Sequence, residues 1–290
     1  MIYPHADALD TALATLTVPH REAIAAAQAR QDRLTKPRGS LGRLEEIAVF
    51  MAGWQGREVP RLDRAACIVF AGNHGVVAQG VSAFPAEVTA QMVANFETGG
   101  AAINALAGAA GMELAIVPIA LENPTQDFTQ GPAMSAIECL QALSIGAAAV
   151  DPGLDLLLVG EMGIGNTTAA AALCALALGG SGSGWVGAGT GLDEHGVRRK
   201  ARVVDQALQL HHDAPRKPLE TLRRVGGREI AAMAGAILRA RELRIPVMLD
   251  GFIATSALAP LVATAPGLAA HCLAGHTSRE PGHARLLARL

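Results

Sequence analysis

Residues 154–178 constrain the chain more than any other stretch. Leu154 to Val159 is an apolar run with the composition of a buried strand. It passes through Gly160-Glu-Met-Gly-Ile-Gly-Asn-Thr-Thr168 into an Ala/Leu run, Ala169 to Leu178, with the composition of a helix. A strand that turns through glycines into a helix leaves backbone N–H groups unpaired at the positive end of a helix dipole. Such a turn is a ready site for a phosphate. Glu161 falls at the strand's carboxyl end, where open α/β sheets place their chemistry. The same stretch also reads as an ordinary tight turn with Glu161 merely solvated, and taken alone it does not separate the two. Gly163 and Gly165 match the first two glycines of the dinucleotide fingerprint, but Thr168 stands where the third belongs. No lysine follows, as it would in a Walker loop.

The strand–turn–helix pattern recurs. Ala65 to Ala71 is an apolar strand running into Gly72-Asn73-His74-Gly75. Met112 to Ile119 is another, and Ile245 to Gly251 a fourth, ending in Asp250-Gly251. Helical spacing of apolar residues marks 7–30 (broken near Pro19), 41–54 behind a Ser40 cap, 86–95, 101–110 and 132–150, the last with Pro132 in its first turn. It also marks 192–211, the region 219–243 and 253–262. Four strands alternating with helices predict an α/β fold, a Rossmann-like parallel sheet flanked by helices.

Only 3% of residues are aromatic, so the core must be built from Ala, Leu, Val and Ile. Cys67, Cys139, Cys174 and Cys272 are scattered in apolar contexts and read as small buried side chains in a reducing cytosol. Net charge is −2 with no basic block, which argues against nucleic acid or an anionic membrane surface as partner. No apolar run is long enough to span a bilayer, and residues 1–10 lack the pattern of a signal peptide. A second glycine cluster, Gly179 to Gly191, precedes a charged helix that carries Arg198 and Lys200, both candidate phosphate partners. Solvated helix charges are the default reading for each. His74 reads as an acid, a base or, more simply, a loop-fixing histidine. His211-His212 reads as a surface pair. His271, His276 and His283 are too irregularly spaced for a metal site.

Taken together, the motifs resemble the nicotinate-nucleotide–dimethylbenzimidazole phosphoribosyltransferases of cobalamin nucleotide-loop assembly. The resemblance rests on Lys36–Leu44, Ala71-Gly-Asn-His-Gly-Val76, Gly80–Pro85 with Glu87-Val-Thr89 and Gln91-Met92, and Gly160–Thr168. It continues through Gly189-Thr-Gly-Leu-Asp193, Val225–Ile230, Leu249–Phe252 and Glu280-Pro-Gly-His283. It implies a large Rossmann-like domain, 61–265, and a small helical lobe from 1–60 and 266–290, in a cytoplasmic homodimer. It also implies a reaction in which a nitrogen of 5,6-dimethylbenzimidazole displaces nicotinate from C1′ of nicotinate mononucleotide, with inversion, and no metal or cofactor is called for. Carried over, Gly163, Gly165, Asn166, Thr167, Gly189 and Thr190 cradle the nucleotide. Lys200, Asp250, Gly251 and Ser278 join the substrate site, with Lys200, Gly251 and Ser278 lining the phosphate pocket. Ser82, Ala83, Phe84, Gln91 and Met92 wall the benzimidazole pocket, and Glu161 is the active-site carboxylate.

The sequence departs from the family at Asn73, where many relatives have Asp. The resemblance also implies a further helix and a Gly-Glu-Gly loop bearing a base after Glu280–His283, whereas this sequence ends at Leu290. The expectation is therefore slow turnover, with Glu161 as partial substitute. Two alternatives stand beside the transferase: a nucleotide- or benzimidazole-binding protein without turnover, and a nicotinamide-dinucleotide oxidoreductase.

Overall fold

A computed structural model describes residues 1–290. Three helices come first: α1 (Ala6–Ala14), α2 (Arg21–Arg33) and α3 (Arg43–Gln55). Next come β1 (Ala65–Ala71), α4 (Val88–Glu97), α5 (Ala102–Ala109), β2 (Glu113–Pro118), α6 (Ala136–Ala148), β3 (Leu156–Met162) and α7 (Asn166–Leu178). The chain then runs through α8 (Glu194–Leu210), α9 (Pro218–Val225), α10 (Arg228–Glu242), β4 (Val247–Leu249), α11 (Gly251–Ser256), α12 (Ala259–Val262), β5 (Cys272–Ala274) and α13 (Pro281–Leu287).

The five strands are parallel, in the order β2-β1-β3-β4-β5. The order changes direction between β1 and β3, and open sheets bind ligands at such a switch point. Phe70 of β1 pairs with Glu161 of β3, and Ala71 with Met162. The loops after the two strands therefore leave the sheet at one level, with Glu161 between them.

Side chains alternate across a strand, so Ala66, Ile68 and Phe70 point to one face with Leu157 and Val159. That face is closed by a single core of 58 buried residues drawn largely from α6, α7 and α9–α12. α7 is apolar nearly all round, as helices enclosed on every side are, with Ala169 to Ala175 all buried, and α10 is buried continuously from Arg228 to Leu238. α6 and α10 touch backbone to backbone, because a Cβ at Gly146 would overlap Ala232 and one at Gly235 would overlap Leu143. The opposite face is thinner. It holds two small clusters, Met51/Ala65/Leu156 and Cys67/Val69/Phe96, under α3, α4 and α5.

Several local expectations change. The fifth strand, β5, goes unforeseen, since three residues are too few to show a period. Ser40 does not cap α3. Gly42 takes the N-cap position at positive φ, and Glu45 accepts from the Leu41 N–H (3.1 Å) and Lys36 Nζ (2.7 Å) instead. α6 starts at Ala136, where Ser135 and Glu138 form a reciprocal capping box, and Pro132 lies in the loop before it. The 219–243 region divides into α9 and α10 at Gly226-Gly227. His211 is buried rather than on the surface, its Nε2 at 2.9 Å from the Phe128 carbonyl, while His212 is exposed.

Candidate functional site

Two glycine turns and one lysine form the first half of the site. β3 enters the turn 163–165 and leaves it as α7, with Gly165 at the N-cap position at φ +91°. Gly163 has no room for a side chain: a Cβ would lie 2.6 Å from the Gly72 carbonyl oxygen. The second turn, 189–191, folds over the first. Lys200 of α8 lies between them, its Nζ donating to Thr167 Oγ1 (2.9 Å) and to the Gly187 carbonyl (3.2 Å). The residue is 1% exposed. Burial lowers its pKa, and the nearby Glu280 works in the opposite direction. Glu280 Oε1 also accepts the Gly189 N–H at 2.7 Å, tying the second turn to the start of α13. Ser82, the 163–167 turn, Thr190 and Lys200 line a crevice of about 30 Å³. That volume takes a few ligand oxygens and not a whole nucleotide, so anything larger must extend outward.

Glu161 forms the second half, at the carboxyl end of β3. Asn166 Nδ2 donates to its Oε2. The carboxyl is pushed up to about 7, first by burial and then by the negative charges of Glu229 and Asp250; the Asn166 hydrogen bond and His74 pull the other way. A carboxylate with that affinity can take up a proton near neutral pH. Glu161 and Asp250 are the acids of a cavity of about 480 Å³ whose other walls, including Phe96, Ile103, Leu158 and Met248, are largely apolar. Met92 and Met162 pack against the neighbouring Cys67/Val69/Phe96 cluster. Volume and lining suit a small, mostly apolar organic molecule.

Residues 16–290 match the family described as Phosphoribosyltransferase. The chain belongs to this family. It is 62% identical over 283 residues to the nicotinate-nucleotide–dimethylbenzimidazole phosphoribosyltransferase of Novosphingobium aromaticivorans, covering 98% of this chain and 84% of the relative. The protein of the same name from Ruegeria pomeroyi is 58% identical, over 94% of this chain and 80% of the relative. Among solved structures, CobT from Thermus thermophilus superposes with a TM-score of 0.87 at 45% identity, covering 92% of this chain and 86% of that one. These relatives support the transferase reading and neither alternative to it.

The phosphoribosyltransferase site gathers some of the residues its sequence suggested and separates others. Ser82, Gly163, Gly165, Asn166, Thr167, Thr190 and Lys200 meet at the crevice, and Gly189 packs against Lys200 and Thr167. Asp250 faces the apolar cavity with Glu161. Phe84 is 47% exposed, and its N–H donates to Ser82 Oγ at 3.2 Å. Ala83 and Gln91 are exposed and Met92 is half-buried. Gly251 opens α11 beside His276. Ser278 pairs with His283, its N–H donating to Nδ1 at 2.9 Å. Neither Gly251 nor Ser278 lines the crevice with Lys200. Arg198 lies on the wet face of α8, paired with Glu194. The cysteines are free, three of them buried and Cys272 half-buried.

The sequence reading gave no site role to Glu280, Phe96 or Glu229, although Glu280 and Glu229 lie in motifs that carry the resemblance. Glu280 reaches a glycine turn about ninety residues away, and no local pattern announces such a contact. Phe96 falls at a core position of an amphipathic helix, where a cavity wall and an ordinary core residue look alike.

Proposed function

We propose that the chain transfers the 5-phosphoribosyl group of nicotinate mononucleotide to 5,6-dimethylbenzimidazole, giving α-ribazole 5′-phosphate and nicotinate. The observation that carries this reading is the adjacency, at one switch point, of a lysine-and-glycine crevice fit for a phosphate and a carboxylate able to take up a proton near neutrality. The names of the relatives support the same substrates. The nucleotide phosphate enters the crevice at the 163–167 turn, Thr190 and Lys200. The acceptor lies beside Glu161, between the Ser82–Phe84 loop with Gln91 and the apolar patch of Met92, Met162 and Phe96. Thr89 Oγ1 accepts the Ile164 N–H at 3.1 Å, which seats this part of α4 on the catalytic turn.

The steps balance within this site. One acceptor nitrogen bonds to C1′ as the C1′–N bond to the pyridinium breaks, and that electron pair neutralises the nicotinate nitrogen. The acceptor's other nitrogen gives up its N–H proton to Glu161. Pyridinium is an activated leaving group, so the protein must mainly orient the two substrates and accept one proton. Incubating the chain with both substrates and following α-ribazole phosphate by chromatography tests the reading. Binding of both without product would leave a binding protein in its place.

The same reading carries a homodimer in the cytoplasm. The exposed Leu106 at the rim of the apolar cavity supports the first and four unpaired cysteines support a reducing compartment; sedimentation at micromolar concentration measures the first directly. It also carries a small helical lobe, residues 1–60 with 266–290. In support, Trp54 Nε1 donates to the Ala270 carbonyl at 3.2 Å, and Arg241 stacks 4.4 Å from the Trp54 ring centroid.

A further inference from the structure

His74, in the loop after β1, and Glu229, in the first turn of α10, meet inside the protein. His74 Nε2 lies 2.6 Å from Glu229 Oε1, and neither side chain has any exposed surface. The outer atoms of the pair, His74 Nδ1 and Glu229 Oε2, are buried without a hydrogen-bond partner. Burying an acid and an imidazole costs solvation that their attraction does not reliably repay, and each orphaned polar atom adds to that cost. Space is nevertheless kept for the arrangement. A Cβ at Gly72, or one at Gly227, would lie 2.7 Å from Glu229 Oε2. Stability alone does not favour such a pair, so its position in the molecule matters.

That position is directly behind the site. The vacant Cβ position of Gly163 is 3.2 Å from Glu229 Oε1 on one side and 3.3 Å from Asn166 Nδ2 on the other. Asn166 Nδ2 in turn donates to Glu161. A single glycine therefore separates the buried acid from the amide that holds the reacting carboxylate.

We propose that Glu229 and His74 are positioning residues for the transfer, acting across Gly163 on Asn166 and Glu161 to govern the proton that Glu161 takes from the acceptor. The proposal rests on the reading of Glu161 as proton acceptor. During the step the acceptor's N–H bond breaks, Glu161 gains the proton, and the His74–Glu229 pair keeps the protons it had.

The polar and titratable groups that act on Glu161 come from four parts of the chain. Asn166 on α7 donates to it, Asp250 follows β4, Glu229 sits on α10 and His74 follows β1. Glu229 and Asp250 raise the Glu161 pKa, while His74 and the Asn166 hydrogen bond lower it. Arg228, next to Glu229 on α10, turns away to Glu138 Oε1 (2.6 Å) and the Asn123 carbonyl (2.5 Å), and leaves Glu229 to His74.

The test follows the Glu161 carboxyl by carbon NMR in protein labelled at the glutamate side-chain carbon, with Glu161→Gln identifying the signal. The acid limb of kcat/KM for the acceptor is recorded alongside. Glu229→Gln removes a negative charge at nearly constant shape, and the Glu161 midpoint should fall by about one pH unit. His74→Gln keeps an amide donor for Glu229 but takes away the imidazole that works against the rise at Glu161, so the midpoint should go up. Opposite displacements are what a purely structural pair would not produce. Unmoved midpoints, or movement of both in one direction, would overturn the proposal. Thermal melts identify a variant that does not fold; if Glu229→Gln is lost in this way, the direction given by His74→Gln decides. Full turnover in Glu161→Gln would remove Glu161 as proton acceptor, a separate failure that the NMR midpoints do not share.

Discussion

Phe70 and Val69 are neighbours in β1, and both are buried. Phe70 points into the 58-residue core, against α10 and its neighbours, where the backbones of α6 and α10 touch. Val69 points into a three-residue cluster and lines the 480 Å³ cavity. The difference teaches how one parallel sheet serves two purposes. The closed face supplies the apolar burial that holds the strands in register. That leaves the other face free to keep unfilled volume beside Glu161, a group whose burial works against stability.

Substitutions on the two faces should separate rate from stability. The largest effect is expected for Glu161→Gln, which should lower turnover by about 10²–10⁴ without lowering the melting temperature. The native carboxyl titrates near 7, raised from 4.5. Between those values the folded chain holds a proton that the unfolded chain has lost, so stability should fall as pH rises through that window. Urea unfolding at pH 5 and pH 7.5 checks the sign, and Glu161→Gln should flatten the slope. If turnover and stability fall together in this variant, the residue is ordering the loop.

Next in size, Phe70→Ala should cost about 3–5 kcal/mol by urea denaturation, enough to threaten folding. Lys200→Ala should weaken nicotinate mononucleotide binding by roughly 1.5–3 kcal/mol in calorimetry, the range for a charge-assisted hydrogen bond. It should leave benzimidazole affinity nearly unchanged. Val69→Ala should cost less than about 1.5 kcal/mol, because its side chain already borders empty space. A cost equal to that of Phe70→Ala would break the comparison between the faces. The smallest stability change, within about 0.5 kcal/mol, is expected for the half-exposed Phe84→Ala. Its KM for benzimidazole should rise while that for the nucleotide stays put, and equal rises in both would remove Phe84 from the acceptor side.

The strands β1 to β3 and the class of fold were legible because a parallel sheet buried on both faces writes itself as continuous apolar runs. That same property hid the two-faced character of the sheet. Cys67, Val69 and Leu158 look no different in sequence from Ile68, Phe70 and Leu157, yet only the former set borders the cavity. The glycine turns around 163 and 189 were legible for a local reason, the strand-to-helix change. That Lys200 lies between them was a choice between two readings, since Arg198 sits two residues away on the same helix and points to solvent. Glu229 stood in the sequence as one residue of the Val225–Ile230 motif, with nothing to assign it a place at the site. Its partner is 155 residues distant, and only the folded backbone brings Gly72, Gly163 and Gly227 around it.

The strand order has a consequence for how the chain is made. β1 lies between β2 and β3, but about 85 residues separate Ala71 from Leu156. A ribosome adding about 5–20 residues per second needs roughly 4–17 seconds to cover that distance. Throughout that interval the seven apolar residues of β1 have an unsatisfied hydrogen-bonding edge, and any neighbouring nascent chain can pair with it. Overproduction at high temperature should therefore send this protein into inclusion bodies before any flaw in its finished fold is felt, and slower synthesis should not help unless a chaperone occupies that edge.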